Sequence, residues 1–254
     1  MQAVVNEAIR NLLTINKIFF TAHGGHRYSD GDIIQFSDEG WAEPYSLVLG
    51  GQVIPTIGSF SYVFSELPDD TVIGRYCSIS WNVRVMYKNH PLDRLSSSSF
   101  SYDGQCVIFK RALEDFHVED FQLLPMNSSH PERNRAPIIQ NDVWIGQDVL
   151  LARGITLGHG CAVGAGSVVT KSVPPFAIVG GNPARLIRYR FDEKTIERIL
   201  QSGWWHYKFS DFVGMKIEDI PHFLDRLDER VQGGTIEPYA PMKVRISSLV
   251  AAAR

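Results

Sequence analysis

His90 is the residue of this chain best suited to move a proton near neutrality, because an unperturbed imidazole titrates there. It stands early in the run NHPLDRLSSSSF (89–100), where the regular pattern described below breaks off. A histidine so placed could take the proton of a hydroxyl or amine that attacks a carbonyl. It could equally do no more than hydrogen-bond the base of a loop. His117 and His130 share the interrupted segment, beside acidic or proline neighbours, and read as surface residues. His159, in GITLGHGCAV, falls at a corner where exposure is expected. No Ser-His-Asp order is evident. Cys77 and Cys161 take small interior positions and Cys106 lies in the interrupted segment, so none is placed like a nucleophile. Direct transfer between two bound substrates is then the simpler mechanism. Lys171, Arg185 and Arg188 suit phosphates, or form an ordinary solvated face. GAGS (164–167) is no P-loop, since no Gly-Lys-Ser or Gly-Lys-Thr accompanies it.

These residues hang on a pattern with a period of six. Ile139, Ile145, Leu151, Leu157, Val163 and Val169 are all aliphatic, and Val143, Val149, Ile155, Cys161, Ser167 and Val173 form a second register of small or β-branched residues. Leu67, Ile73, Ile79 and Val85 repeat the first register, with Thr71, Cys77 and Val83 as partners. Ile57 and Val63 are a further pair, displaced by a short insertion around 64–66. Such a period belongs neither to a helix nor to simple strand alternation. It predicts a coil with sides six residues long, stacked so that every anchor shares one interior. Gly146, Ala152, Gly158 and Gly164 follow the anchors, where the chain is expected to turn a tight corner. Trp144 precedes an anchor and points outward. A large outward aromatic either walls a binding site or packs against a neighbour. Asn141 and Asp142 read as turn formers.

The chain has 254 residues, 44% of them hydrophobic, and a formal charge of −3. That is enough for a substantial core, and it implies no polyanionic partner such as nucleic acid. No apolar run is long enough to cross a bilayer. The start, MQAVVNEAIRNLL, is a poor secretion signal and reads as an amphipathic helix. Three cysteines, an odd count, argue against a disulfide framework and fit a reducing cytoplasm.

Three regions are expected. Residues 1–52 form an N-terminal extension, with a helix using Val4, Ala8, Leu12 and Ile15, then short strands from 32 to 51. Residues 53–190 form the coil, which ejects a loop at 86–137. A solenoid tolerates such an ejection because stacked neighbours carry its stability. Residues 191–254 form C-terminal helices and a tail. Asp192 caps the first helix, with Ile196, Ile199, Leu200 and Trp204 on one face. The second spans about 218–231, with Pro221 in its first turn.

VWIGQDVLLARGITLGHGCAVGAGSVVTKSVPPFAIVGGNPARLIRYRF (143–191) resembles the hexapeptide-repeat acyltransferases. FDEKTIERILQSGWW, IGRYCSIS (73–80) and NHPLDRLSSSSF, in that family's order, are similar to its xenobiotic acetyltransferase branch. The resemblance runs from about Ile57 to Trp205. It implies a mainly β fold, a left-handed parallel β-helix with an ejected loop and C-terminal helices. The hand comes from the family and not from the spacing. A homotrimer, acetyl-CoA as donor and an active site between subunits are implied as well. The first fifty residues, the last forty or so and the length of the loop depart from a compact family member, and these are parts where acceptor choice could lie.

By the same resemblance His90 occupies the position of the catalytic histidine, and Trp144 matches a tryptophan that walls the acyl pocket. Ala165, Thr170 and Lys171 match positions that line CoA in sister sugar acetyltransferases. Arg185 and Arg188 match basic residues after the Asn-Pro-Ala turn, and Gln147 matches a backbone contact point. Tyr62, Asn82 and the serines 96–99 could touch an acceptor, and a backbone carbonyl or Asp93 could orient His90. The expected reaction is O-acetylation of a saccharide or polysaccharide, with an antibiotic hydroxyl (streptogramin or chloramphenicol type) as the alternative. A non-catalytic scaffold is the non-enzyme reading. Zinc carbonic anhydrases share the fold but need three imidazoles on adjacent coils. The regular coils here hold only His159, so no metal is expected.

Overall fold

A computed structural model describes residues 1–87, 90–121 and 135–253. In chain order the first elements are β1 (Gln2–Val4), α1 (Glu7–Ile15), β2 (Ile18–Phe19), β3 (Ile33–Phe36), β4 (Trp41–Ala42) and β5 (Ser46–Val48). There follow β6 (Val53–Ile54), β7 (Thr56–Ile57), β8 (Tyr62–Val63), β9 (Val72–Ile73), β10 (Ser78–Ile79), β11 (Arg84–Val85) and α2 (Val107–Asp115). Next are β12 (Ile138–Ile139), β13 (Trp144–Ile145), β14 (Leu150–Leu151), β15 (Thr156–Leu157), β16 (Ala162–Val163) and β17 (Val168–Val169). The chain closes with β18 (Ala177–Gly180), β19 (Arg185–Tyr189), α3 (Glu193–Ser202), α4 (Ile220–Gln232), β20 (Val244–Arg245) and α5 (Ile246–Ala252).

The anchors of the six-residue repeat sit in strands of two residues, and each pairs in parallel with the strand one coil on. Ile139 aligns with Leu157, Ile145 with Val163 and Leu151 with Val169. One turn of the coil therefore takes eighteen residues and crosses three sheets in succession. Ile57, Ile73, Ile79, Ile145, Leu151, Leu157 and Val163 are fully buried in one continuous core. In a strand of two residues only the anchor faces inward, so its predecessor stands on the outer face.

Glycine follows several anchors for a reason other than the one expected. Gly146 and Gly158 do not adopt a left-handed backbone conformation. A Cβ on Gly146 would lie 2.6 Å from the Ala165 amide nitrogen, and one on Gly158 would lie 2.5 Å from that of Pro175. Close approach of the next coil excludes a side chain at both positions. The left-handed corners fall two residues further on or later, at Tyr45, Phe60, Tyr76, Asp142, Gly160 and Phe176.

Pairing does not begin at Val53. β2 pairs with β5 and β5 with β8, β4 pairs with β7, and β3 with β6, all in parallel. Residues before 53 thus supply strands to the same stack, with Ile18, Ile34, Phe36, Ala42 and Val48 buried. Their spacing is irregular, which is why no hexads mark them. The face of α1 also differs from expectation. Asn6 caps the helix by accepting from the Ile9 amide at 2.8 Å, and Ile9 and Leu13 turn inward. Val4 belongs to β1 and is 61% exposed, and Ile15 is 72% exposed.

Asp192 caps α3, its carboxylate accepting from the Thr195 amide at 3.0 Å. α3 and α4 build a second core of Phe176, Ile199, Trp205, Phe212, Phe223, Leu224 and Leu227. The tail then returns to the start of the coil. β20 pairs antiparallel with β4, and α5 buries Ile246, Leu249 and Val250 in the coil's core.

Residues 87–134 form a separate compact unit. Its described part holds a single helical turn, Ser99–Ser101, and the helix α2. Phe100, Phe109, Leu113, Phe116 and Phe121 line an apolar cavity of about 180 Å³ within it.

Candidate active site

The candidate residues fall into two groups, one in the unit 87–134 and one on the coil. In the first, the Nδ1 atom of His90 lies 2.7 Å from the Ser97 carbonyl oxygen and 3.0 Å from the Tyr102 hydroxyl. A carbonyl oxygen can only accept, so Nδ1 carries the proton in this arrangement. The neutral ring then keeps its lone pair on Nε2, the form a general base needs. The Tyr102 ring meets the imidazole edge to face, with centroids 5.7 Å apart. A backbone carbonyl and a phenol thus hold Nδ1, and the Asp93 carboxylate pairs with Arg94 at 3.5 Å.

The serine run folds on itself. Ser101 Oγ donates to the carbonyls of Ser96 and Ser98 at 3.0 and 2.8 Å, and Arg94 Nη1 donates to that of Ser101 at 2.7 Å. These bonds shape the loop that presents the Ser97 carbonyl to His90. His117 follows α2 in a left-handed conformation and is exposed. His130 lies outside the described residues.

On the coil, Tyr62 and Trp144 each align with Ser78, so they share one row on the outer face of one sheet. The row continues through Ala162 and Ile178 to Arg188. Strand spacing puts Tyr62 and Trp144 roughly 10 Å apart along it. Trp144 is 56% exposed. Asn82 and Gln147 converge on Asp148, a residue the repeat did not single out. Asn82 donates to its carboxylate at 2.5 Å and Gln147 at 3.0 Å. Asn82 and Asp148 both occupy left-handed corners, positions that asparagine and aspartate tolerate. Ala165 is exposed, with its backbone stacked against Gly146. Thr170 and Lys171 follow β17 and are exposed, on a different sheet from Arg185 and Arg188 in β19. Arg185 and Arg188 each spend one N–H on a neighbouring backbone carbonyl, at 3.0 Å.

His159 departs from expectation. It is half-buried, stacked flat on Trp205 with centroids 4.4 Å apart, and its Nδ1 accepts from the Asn141 amide at 3.1 Å. Burial holds its pKa below the ordinary histidine value, and the nearby His206 adds to the effect. The C-terminal segment that covers this corner is what the coil pattern alone does not contain. Asp142 is more than a turn former, since it pairs with Arg190 at 2.9 Å. Burial raises its pKa, and Arg190 opposes the rise. Arg75 grips Glu43 through two bonds, at 2.6 and 2.8 Å, and donates to the Tyr239 carbonyl at 2.9 Å. Burial pushes the thiols of Cys77 and Cys161 up to about 12, so they stay protonated near neutrality. Among the described residues no group of three histidine, cysteine, aspartate or glutamate side chains could hold a metal ion, and no helix is long and apolar enough to cross a membrane.

Residues 136–171 match the model of the bacterial transferase hexapeptide (six repeats). A chloramphenicol acetyltransferase of Klebsiella aerogenes is 35% identical over 58% of this chain and 65% of its own length. A probable macrolide acetyltransferase of Lysinibacillus sphaericus is 33% identical over 57% of this chain and 73% of its own. A 2,3,4,5-tetrahydropyridine-2,6-dicarboxylate N-acetyltransferase of a Thermotoga species is 53% identical over 27% of this chain and 29% of its own. The chain thus spans just under two thirds of the chloramphenicol acetyltransferase. With the repeat, the parallel stack and the macrolide relative taken together, the chain belongs to the hexapeptide-repeat family of xenobiotic acetyltransferases.

Proposed function

We propose that this protein transfers an acetyl group from acetyl-CoA to an acceptor hydroxyl, with His90 as general base. The observation that carries this reading is the 2.7 Å contact between His90 Nδ1 and the Ser97 carbonyl, which in the neutral ring puts the lone pair on Nε2. A hydroxyl benefits from losing its proton in the transition state. A free Nε2 therefore supports a hydroxyl acceptor. Nε2 takes the acceptor proton, the acceptor oxygen attacks the thioester carbonyl, and the imidazolium returns a proton to the departing thiolate. The protonated thiols of Cys77 and Cys161 support direct transfer over an acyl-cysteine intermediate.

In this reading Lys171, Arg185 and Arg188 meet the CoA phosphates, with Gln147, Ala165 and Thr170 along the pantetheine arm. Their exposure and the spare donors of both arginines support it. Tyr62 and Trp144, in one outward row, contact the acceptor, and Asn82 shapes the adjoining corner through Asp148. Of the two acceptor classes, a small hydroxylated compound of the antibiotic type stands first. The names of the chloramphenicol and macrolide relatives support it, as does the apolar cavity in the unit that carries His90. A saccharide is the second reading, because a flat exposed aromatic such as Trp144 offers a stacking face. The left hand of the coil and assembly as a homotrimer belong to the same proposal and rest on the family, and a cytoplasmic location rests on the three free cysteines.

The test is thiol release from acetyl-CoA across a panel of chloramphenicol, macrolides, streptogramins, sugars and oligosaccharides, with His90→Ala in parallel. Acceptor-dependent release that falls about a hundredfold or more in a folded His90→Ala variant is expected. Full activity in that variant refutes the role of His90. Absence of acetyl-CoA binding by the native protein refutes the reaction.

A further inference from the structure

We infer that Tyr102 is a positioning residue for His90, holding the imidazole in its base-competent tautomer and sharing the charge that forms there. The inference rests on the reading of His90 as base. The Tyr102 hydroxyl lies 3.0 Å from His90 Nδ1, on the nitrogen that the Ser97 carbonyl already claims at 2.7 Å. Since the carbonyl requires a proton on Nδ1, the phenol oxygen meets that same N–H as a second acceptor. Its own hydrogen is then left for Ser99 Oγ, 3.4 Å away, in a contact where either hydroxyl can donate. The turn Ser99–Ser101 fixes this geometry, because Tyr102 closes it by donating its amide to the Ser99 carbonyl at 3.0 Å. The ring adds an edge-to-face contact at 89°.

Two acceptors on one N–H do more than choose a tautomer. When Nε2 takes the acceptor proton, the ring becomes a cation and Nδ1–H becomes a stronger donor. Hydrogen bonds to a charged donor are about twice as strong as neutral ones. Tyr102 therefore interacts more favourably with the charge-separated transition state than with the resting enzyme, which is what accelerates a step. The run that carries His90 contains no tyrosine, and this one lies two residues beyond it.

Tyr102→Phe keeps the ring and removes the oxygen. With acetyl-CoA and chloramphenicol, or whichever panel member turns over, kcat is expected to fall about three- to tenfold, the size of one hydrogen bond expressed in the barrier. Both KM values stay within about twofold. Nitrogen NMR of histidine-labelled protein is expected to show the Nδ1–H form of His90 losing population to Nε2–H, a readout that needs no acceptor. Tyr102→Leu, which also removes the ring contact, falls further. Native kcat and an unchanged tautomer in Tyr102→Phe, beside an inactive His90→Ala, overturn the role of Tyr102 alone. A raised KM with unchanged kcat also overturns it and makes Tyr102 a substrate contact. An active His90→Ala overturns both readings.

Discussion

Arg75→Ala tests whether one buried ion pair fastens the C-terminal tail to the coil. The Glu43 and Arg75 side chains are only 3% and 14% exposed. Arg75 gives Glu43 two charged hydrogen bonds, and among the described residues the other donor to that carboxylate is the Ser59 amide at 3.0 Å. Truncating Arg75 leaves a buried carboxylate nearly unpartnered and removes a donor from the Tyr239 carbonyl. Breaking a buried pair from one side costs about 3–5 kcal/mol. For a chain of this size that corresponds to a drop in Tm of roughly 6–20 °C. The pH dependence gives a second, independent signature. Burial alone would raise the Glu43 pKa, but the Arg75 hydrogen bonds, the Ser59 amide and the charges of Arg75 and Lys243 together hold it below the usual value. Its stabilisation is therefore present above the unfolded carboxylate pKa, about 4.3, and is lost as pH falls through the folded value. Without Arg75 the folded pKa rises, because burial is then opposed by the Ser59 amide and the Lys243 charge but no longer by the guanidinium, so the variant's deficit should be largest near pH 7 and shrink toward pH 5. Urea unfolding followed by tryptophan fluorescence at both pH values measures this. A deficit below about 1 kcal/mol at pH 7, or one that does not shrink on acidification, refutes the reasoning.

Two further outcomes are expected. Gly146→Ala places a methyl group 2.6 Å from the Ala165 nitrogen and should destabilise by about 1–3 kcal/mol. In Gly164→Ala the nearest atom is 3.5 Å away, so its Tm should stay within a few degrees of native, and equal losses in the two variants would remove coil-to-coil approach as the explanation. Trp144→Ala, at an exposed position, should change stability by less than about 0.5 kcal/mol. It should raise the acceptor KM severalfold with acetyl-CoA affinity intact, and a loss confined to acetyl-CoA would move Trp144 to the donor side.

The coil was legible because its constraint is periodic. Each anchor from Ile139 to Val169 meets the same demand, an aliphatic side chain in a shared interior, so one spacing marks six strands at once. Before Val53 the same sheets continue, yet the chain between β2 and β5 runs 26 positions, from Phe19's neighbour Phe20 to Tyr45. The residues that turn inward there, Ile18, Ile34, Phe36, Ala42 and Val48, are unevenly spaced, so no fixed period marks them. The corners show a related limit. Glycine reads as a marker of left-handed conformation, but Tyr45, Phe60 and Tyr76 hold those positions, and their rings stack against one another and the C-terminal segment. Tertiary packing outweighs the local cost at each of these corners.

The candidate site divides along the same line. His90 could be singled out because one residue type near neutrality suits proton transfer and because the pattern breaks where it stands. Its partners could not. The Ser97 contact is made by a carbonyl, which every residue carries, and Tyr102 is an unremarkable aromatic until the turn 99–101 brings its hydroxyl to Nδ1. Asp148 is hidden for the same reason, since its two donors, Asn82 and Gln147, are 65 residues apart in the chain and one coil apart in the stack. His159 shows the converse error. On a bare coil its corner faces solvent, and in the folded chain Trp205 stacks over the ring, which is half-buried. Chemistry carried by side chains is thus visible where a type is rare and its place is marked. The groups that orient it become visible only once the backbone has been folded around them.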